Sequence, residues 1–317
     1  MKTIIKIMAL LLITVSGYAQ QDAQYNQYIF NSMVLNPAYA GTKGLINVNA
    51  IYSTQWTGLS GSPTTQSLSV DGPATEKVGV GFQLINDNIG AQSQQSLFGN
   101  YSYKIKLSEK MRLSMGIAVG ASYFSLDGTK LVTDNPDDPA IPHTLVTKLR
   151  LDGKAGLFLY SDRFYAGFSS TDLLSNVFTN KDLLVAAQVR HYYLTSGYVI
   201  DLGTQFKLKP SFLIKEDFKA PMNIDVNAFV LYRERFWLGT SLRFGEMAFV
   251  SKDLQTSLKS RDAIVFMAEI NITDKLRVGY AYTYSMSMLS AYPGHEFSLG
   301  YYFPNKVETK MKSIRYF

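Results

Sequence analysis

Residues 276–284, LRVGYAYTY, decide the fold. In an extended chain one face of this stretch carries Leu, Val and three Tyr, while the other carries Arg, Gly, Ala and Thr. Successive side chains of a strand point to opposite faces, so this period of two predicts a strand with two different faces. The same alternation recurs at residues 46–50, 111–120, 206–215, 224–230 and 297–303. We find no convincing helical period, which predicts an all-β protein.

Counting such stretches predicts about fourteen strands, most of them near ten residues long. That is the length of a tilted strand that crosses a bilayer. The predicted strands are residues 44–55, 64–71, 78–87, 95–106, 111–124, 151–160, 163–170, 190–201, 204–214, 223–233, 236–243, 262–271, 275–284 and 295–303.

The connections between the predicted strands fall into a tight set and a long set. The tight set is residues 107–110, 161–162, 202–203, 234–235 and 272–274. The long set is residues 125–150, 171–189, 245–261 and 285–294. Short periplasmic turns, long outer loops and an even strand count are typical of an outer-membrane barrel. We therefore predict a transmembrane antiparallel β-barrel of about 14 strands with both termini in the periplasm.

A large soluble β-sandwich would alternate in the same way, so the composition of the two faces has to decide. A sandwich needs a well-charged outer face, but only 18% of this chain is charged, and the face opposite the apolar one is mainly Gly, Ser, Asn and Thr. That face suits a polar lumen. Aromatic girdles are predicted from residues near strand ends: Tyr52, Tyr123, Tyr280, Tyr284 and Phe303.

Composition also limits which catalytic and metal sites the chain could form. The chain has no Cys and three His, which excludes disulfide scaffolds and thiol catalysis and leaves little for a metal centre. A hydrolase built on His295, Glu296 and Ser298 can be imagined, but neighbours in a strand face opposite sides, so His295 and Glu296 are poorly placed to cooperate. We expect no enzyme activity, no cofactor and no metal. The net charge of +6 is attributed to interfacial side chains, not to nucleic-acid binding.

The N-terminus predicts export. Lys2 and Lys6 give a positive N-terminal region, residues from Ile4 to Val15 are mostly apolar, and small residues stand before Gln20. This pattern predicts a signal peptide over residues 1–19, cleaved after Ala19. The remaining divisions are a periplasmic N-terminal segment at 20–43, the barrel at 44–303 and a periplasmic tail at 304–317.

Motifs at both ends carry a family resemblance. QDAQYNQYIFN at residues 21–31 and LNPAYAG at residues 35–41 open the mature chain, and GHEFSLGY at residues 294–301 closes the last strand. Together with QW at 55–56, SVDGP at 69–73 and NDNIG at 86–90, they resemble the PorP/SprF-like outer-membrane proteins of type IX secretion and gliding systems. The resemblance covers essentially the whole mature chain.

The resemblance implies a role in assembly at the cell surface. Such a barrel would support the export or surface anchoring of a partner adhesin that carries a C-terminal sorting domain. It would also contact the type IX translocon, periplasmic envelope proteins and outer-membrane lipid. From the residues alone a porin or small-solute channel remains the alternative.

Two groups of residues are candidates for function. The N-terminal segment is too polar for a strand, and we predict that it tucks into or against the periplasmic mouth, with Asn36 and Pro37 forming the turn into the first strand. A basic C-terminal tail would dock an acidic partner. The partner-binding candidates are Tyr25, Tyr28, Phe30, Asn36, Pro37, Tyr39, Lys310, Lys312 and Arg315.

A paired lumen network that favours a plugged barrel is predicted from Lys209, Lys215, Asp225, Arg243, Glu269 and Arg277.

Overall fold

A computed structural model describes residues 25–131, 142–174, 189–246 and 261–303. The predicted signal peptide, the tail 304–317 with Lys310, Lys312 and Arg315, and the acidic stretch 134–139 lie outside the described residues. The strands are β1 Ile46–Thr54, β2 Thr64–Pro73, β3 Val78–Ile89, β4 Gln92–Lys106, β5 Arg112–Asp127, β6 Leu145–Tyr160, β7 Phe164–Thr171, β8 His191–Tyr198, β9 Ile200–Leu202, β10 Phe206–Glu216, β11 Met222–Tyr232, β12 Phe236–Glu246, β13 Arg261–Asn271, β14 Leu276–Ser285 and β15 Gly294–Phe303.

These strands form one closed antiparallel sheet. Each pairs with its neighbours in sequence, and the ring closes where β15 pairs with β1, from Ile46 opposite Phe303 to Thr54 opposite His295. The short segment β9 follows β8 after a break at Val199, and both pair with β10, so they form one strand of the wall. The described residues therefore build a barrel of fourteen strands, which confirms the predicted antiparallel barrel and its strand number.

The two ends of the barrel differ. At one end the strands are joined by residues 74–77, 107–111, 161–163, 203–205, 233–235 and 272–275. At the other, which we call the long-loop end, most connections are longer, including 128–144, 172–190 and 247–260. An exception there is the turn at Gly90 and Ala91, where Gly90 adopts a φ of +57° that suits glycine. We call the end with residues 74–77 and 107–111 the short-turn end, and Ile46 and Phe303 both lie there.

The barrel wall has an apolar outer face and a mainly polar inner face. Val119, Leu149 and Leu238 are each at least 66% exposed on the outside. The predicted girdle residues Tyr52, Tyr123, Tyr280, Tyr284 and Phe303 are exposed as well. Buried inner positions include Asn47, Ser69, Asp71, Gln83 and Ser114. Such a distribution is the inverse of a soluble protein and suits a bilayer outside and a packed interior. Among the described residues no helix has the length and apolarity needed to cross a bilayer.

The interior is occupied by the chain's own N-terminal segment, Tyr25–Lys43, which we call the plug. It winds through three 3-10 helices, Gln27–Ile29, Ser32–Val34 and Pro37–Tyr39, before β1 begins. Gly41 contacts Asp71 near the short-turn end, whereas Asn26 contacts Glu296 and Thr283 in the half nearer the long loops. The plug therefore reaches well beyond the mouth at which the sequence predicted it, and Tyr25–Lys43 lies within the barrel.

Candidate functional site

The plug is a nearly uncharged segment buried inside the barrel. Lys43 is its one charged residue, and the rest is rich in amides, aromatic rings and small side chains. All its residues are buried except Leu35, which is half-buried. Short 3-10 turns leave many backbone N–H and C=O groups unpaired within the segment, and buried groups of that kind need partners. The barrel wall supplies them.

Glu296 of β15 anchors the first turn of the plug. Its carboxylate accepts the backbone N–H of Gln27 at 2.7 Å and that of Asn26 at 3.0 Å. Gln27 forms a second hydrogen bond with Glu296, since its side-chain Nε2 donates to the Glu296 backbone carbonyl at 3.1 Å. The Glu296 side chain is fully buried. A carboxylate at the N-terminus of a helical turn accepts charge-assisted hydrogen bonds from free N–H groups, so Glu296 acts as an external cap for the plug.

A buried ion pair on the neighbouring wall extends this anchor. Arg243 contacts Asp225 through Nε at 2.7 Å and Nη2 at 3.0 Å, the bidentate geometry that favours arginine. Nη2 of Arg243 also lies 3.3 Å from Asn26 Oδ1. On β11, two residues after Asp225, Asn227 Nδ2 donates to the Tyr28 hydroxyl at 2.9 Å. The wall thus holds the plug through polar groups on β11, β12 and β15.

An apolar cluster lies between the plug and the inner side of the wall, with most of its wall residues on β10 to β13. The Phe30 ring meets Phe229 edge-on, with centroids 5.5 Å apart, and lies 6.3 Å from the Trp237 ring. The cluster joins plug residues Tyr25, Tyr28, Ile29, Phe30 and Val34 to wall residues Ile51, Tyr193, Leu213, Phe229, Leu231, Trp237, Val265, Met267 and Ala281. Apolar side chains on a lumen wall are costly in water, so this half of the wall is matched to the plug.

The last turn of the plug packs on glycines of the opposite wall. A Cβ atom added at Gly116 of β5 would overlap the backbone of Ala38, and one at Gly79 of β3 would overlap the Ala40 carbonyl. Asn36 caps this turn, since its Oδ1 accepts the Ala38 N–H at 2.9 Å while its Nδ2 donates to the Leu157 carbonyl at 2.9 Å. Only glycine allows two backbones to approach so closely.

The exit of the plug is held by a second polar group near the short-turn end. Asp71 accepts the Gly41 N–H at 2.8 Å, and Lys43 Nζ lies 2.9 Å from the Tyr302 hydroxyl. Burial, together with the Arg277 guanidinium, lowers the pKa of Lys43 to about 7. Arg277 in turn lies 3.5 Å from Glu269 and donates to Asn49 at 2.7 Å.

The structure places six of the predicted partner-binding residues inside the barrel. Tyr25, Tyr28, Phe30, Asn36, Pro37 and Tyr39 are all buried in the plug. Asn36 and Pro37 begin the last 3-10 helix, and residues 40–45 still separate that helix from β1. In this structure the six side chains lie in the plug, and their part in binding a partner stays a prediction.

The predicted lumen network is brought together in two pairs. Asp225 meets Arg243 and Glu269 meets Arg277. Lys209 is fully buried, with Nζ 3.4 Å from the Ile29 carbonyl of the plug and 5.5 Å from the Trp237 ring centroid. Lys215 lies on the same face of β10 and is half-buried. Two of these charged residues, Lys209 and Arg243, therefore contact the plug.

Sequence reasoning missed Glu296, Asp71 and Lys43 as anchors. Glu296 was weighed only as a partner of His295, yet the two lie on opposite sides of the wall: Glu296 inside, and His295 Nδ1 2.9 Å from the outer Tyr280 hydroxyl. The signal that could have revealed the role of Glu296 was a single buried acid facing an amide-rich segment. The described residues hold no group of His, Cys, Asp and Glu that could bind a metal.

Removing the Glu296 charge should loosen the plug. In Glu296→Gln one carboxylate oxygen becomes an NH2 that faces the N–H of either Asn26 or Gln27, so we expect about 1–3 kcal/mol less stability. The midpoint of denaturant unfolding in detergent measures this. Glu109→Gln, an exposed acid in a short turn, is the matched control and should change little. Equal midpoints for both variants would contradict the assigned role.

Comparisons with known sequences and solved structures show what the chain is similar to. Among curated protein sequences none matches significantly. Solved structures of similar shape include the CymD monoaromatic hydrocarbon channel (11% identity, 87% of this chain and 93% of that one, TM-score 0.49). Others are the P. putida toluene transporter TodX (9%, 89% and 95%, 0.46) and the Acinetobacter baumannii outer membrane protein Omp33 (9%, 82% and 100%, 0.44). These are likenesses of the barrel fold alone.

The family comparison covers nearly the whole chain. The profile described as type IX secretion system membrane protein PorP/SprF matches residues 17–301, a span that includes the plug and ends within the last barrel strand. The LNPAYAG and GHEF motifs fall on the plug and on the strand that anchors it. The chain belongs to the PorP/SprF family of type IX secretion membrane proteins, as a plugged barrel of the outer membrane.

Proposed function

We propose that this barrel supports the export or surface anchoring of a partner adhesin that carries a C-terminal sorting domain. Family membership associates the chain with type IX secretion components. The adhesin, a contribution to gliding and the removal of residues 1–19 as a signal peptide are parts of the proposal. In this function the barrel acts by binding and has no enzyme activity.

The buried plug is the observation that carries the proposal. A diffusion pore needs a wet lumen, but Tyr25–Lys43 lies inside this one with its backbone and side chains bound to the wall. The apolar cluster formed by wall residues such as Phe229, Trp237 and Val265 also favours a permanent occupant over water. These features support a binding barrel over a porin or small-solute channel.

A pull-down combined with conductance recording tests the proposal. Tagged protein is extracted from its native envelope in mild detergent, its partners are identified by mass spectrometry, and the same sample is recorded in a planar bilayer. We expect a large surface protein or translocon components, and no steady conductance. A lone barrel with stable conductance would overturn the proposal in favour of the porin.

A further inference from the structure

The inner face of β3 to β6 carries a second group of polar side chains on the long-loop side of the plug. It comprises Gln83, Asn100, Arg150 and Lys154, which are 1%, 5%, 7% and 8% exposed, and we call it the donor wall. Asn100 pairs with Gly81, where an added Cβ would lie 2.9 Å from Met33 Sδ of the plug. The donor wall therefore adjoins the plug at Met33.

Three N–H groups on this wall have no hydrogen-bond partner in the part of the chain that the structure describes. They are Gln83 Nε2, Asn100 Nδ2 and Arg150 Nε. A buried donor without an acceptor is costly, and native proteins rarely keep several of them together. Three of them, on the inner faces of β3, β4 and β6, indicate a place for a ligand that supplies acceptors.

The two cations of the donor wall are held by aromatic rings. The Arg150 guanidinium carbon lies 5.5 Å from the Phe124 ring centroid, and Lys154 Nζ lies 4.1 Å from that of Phe98. Lys154 Nζ also lies 3.5 Å from Gln83 Oε1. A cation over a ring keeps its charge, so these contacts leave the wall electropositive.

Asp152 limits which anion suits the wall. It is 3% exposed, lies between Arg150 and Lys154 on the inner face of β6, and accepts the Leu174 N–H at 3.1 Å. Two cations beside one carboxylate leave a single net positive charge. This balance favours a singly charged anion over a doubly charged phosphate.

We propose that the donor wall binds a carboxylate of the exported polypeptide. The oxygens of a carboxylate offer about four acceptor sites, enough for the Arg150, Gln83 and Asn100 donors, and arginine forms strong bonds to carboxylates. The inference rests on the proposed function in taking this carboxylate from the partner protein. It assigns the long-loop half of the lumen to partner recognition, and the plug to its floor.

Peptide titration tests the ligand chemistry on the unmodified full chain. The probes are acetyl-Gly-Glu-Gly-Glu-Gly-amide and its analogue with both Glu replaced by Gln, measured by calorimetry in detergent. We expect the Glu peptide to bind at least about tenfold more tightly, since charge-assisted bonds are about twice as strong as neutral ones. Equal binding of the two peptides would overturn the inference, as would inorganic phosphate binding as tightly as the Glu peptide.

Arg150→Gln tests the residue. It should weaken Glu-peptide binding about tenfold or more while leaving the melting temperature unchanged or higher, because a buried cation with an unsatisfied N–H is removed. Lys130→Gln, which alters an exposed cation outside the donor wall, is the control and should bind normally. Normal peptide binding by Arg150→Gln, or a melting temperature several degrees lower, would show a structural arginine and contradict the assignment.

Partner capture separates this inference from the proposed function. In the envelope pull-down, Arg150→Gln should recover much less partner than Lys130→Gln. Full recovery with Arg150→Gln would overturn the donor wall as a partner site and leave the proposed function standing. Failure of the unmodified chain to recover any partner would count against the proposed function itself.

Discussion

Deleting residues 25–41 should turn a silent barrel into one that conducts ions steadily. The plug crosses the interior from Glu296 to Asp71, so its loss removes the segment that separates the two ends of the lumen. A barrel of fourteen strands lies close to the size at which porins enclose an aqueous channel. Single-channel recording in planar bilayers, on deletion and full-length chains prepared alike, measures the change.

The deletion should also lower stability, because it exposes the cluster of Phe229, Trp237 and Val265 and leaves Glu296 without its two N–H donors. Folding is checked by heat-modifiable mobility on gels, since a folded barrel migrates faster than the unfolded chain. A deletion chain that folds but remains silent would contradict the assignment of Tyr25–Lys43 as the barrier.

A methyl group at Gly116 should unseat the plug without removing it. In Gly116→Ala the new Cβ would overlap backbone atoms of Ala38, which cannot rotate away as a side chain could. Overpacking of this kind costs about 1–3 kcal/mol. We expect a lower unfolding midpoint and intermittent conductance in planar bilayers.

Gly153→Ala is the matched control for this substitution. Gly153 lies on β6, and the nearest atom to an added Cβ there is a carbonyl oxygen 3.6 Å away, an ordinary contact. This variant should stay within about 0.5 kcal/mol of the unmodified chain and remain silent. If the two alanine variants behaved alike, close packing of the plug on β5 would not be what seats it.

The wall of the barrel could be predicted from the sequence because its signal is local. Alternation within 276–284 needs only neighbouring residues, and each of the fourteen predicted strands overlaps an observed one. The largest boundary error is at β6, predicted from residue 151 but observed from Leu145. There Thr147, Lys148 and Arg150 interrupt the apolar pattern, although they still pair with β5.

The plug could not be predicted in the same way because its contacts are distant in sequence. Asn26 and Glu296 are 270 residues apart, and the Gly116 contact with Ala38 depends on how the closed barrel positions β5. Composition indicated that the segment was neither strand nor idle tail, but aromatic and amide side chains suit a buried plug as well as an exposed binding surface. Only the closed barrel distinguishes the two.

Disulfide trapping tests the central claim, a plug seated inside the barrel, most directly. The chain has no cysteine, so Met33→Cys with Gly81→Cys introduces a single pair, and replacing the Met33 thioether removes the atom nearest the new side chain. We expect this pair to form a disulfide in oxidised outer membranes, whereas Met33→Cys with Gly99→Cys, which lies on the outer face of β4, should not. Free thiols in the first pair, with Cys at position 33 open to labelling by a water-soluble maleimide, would contradict the account.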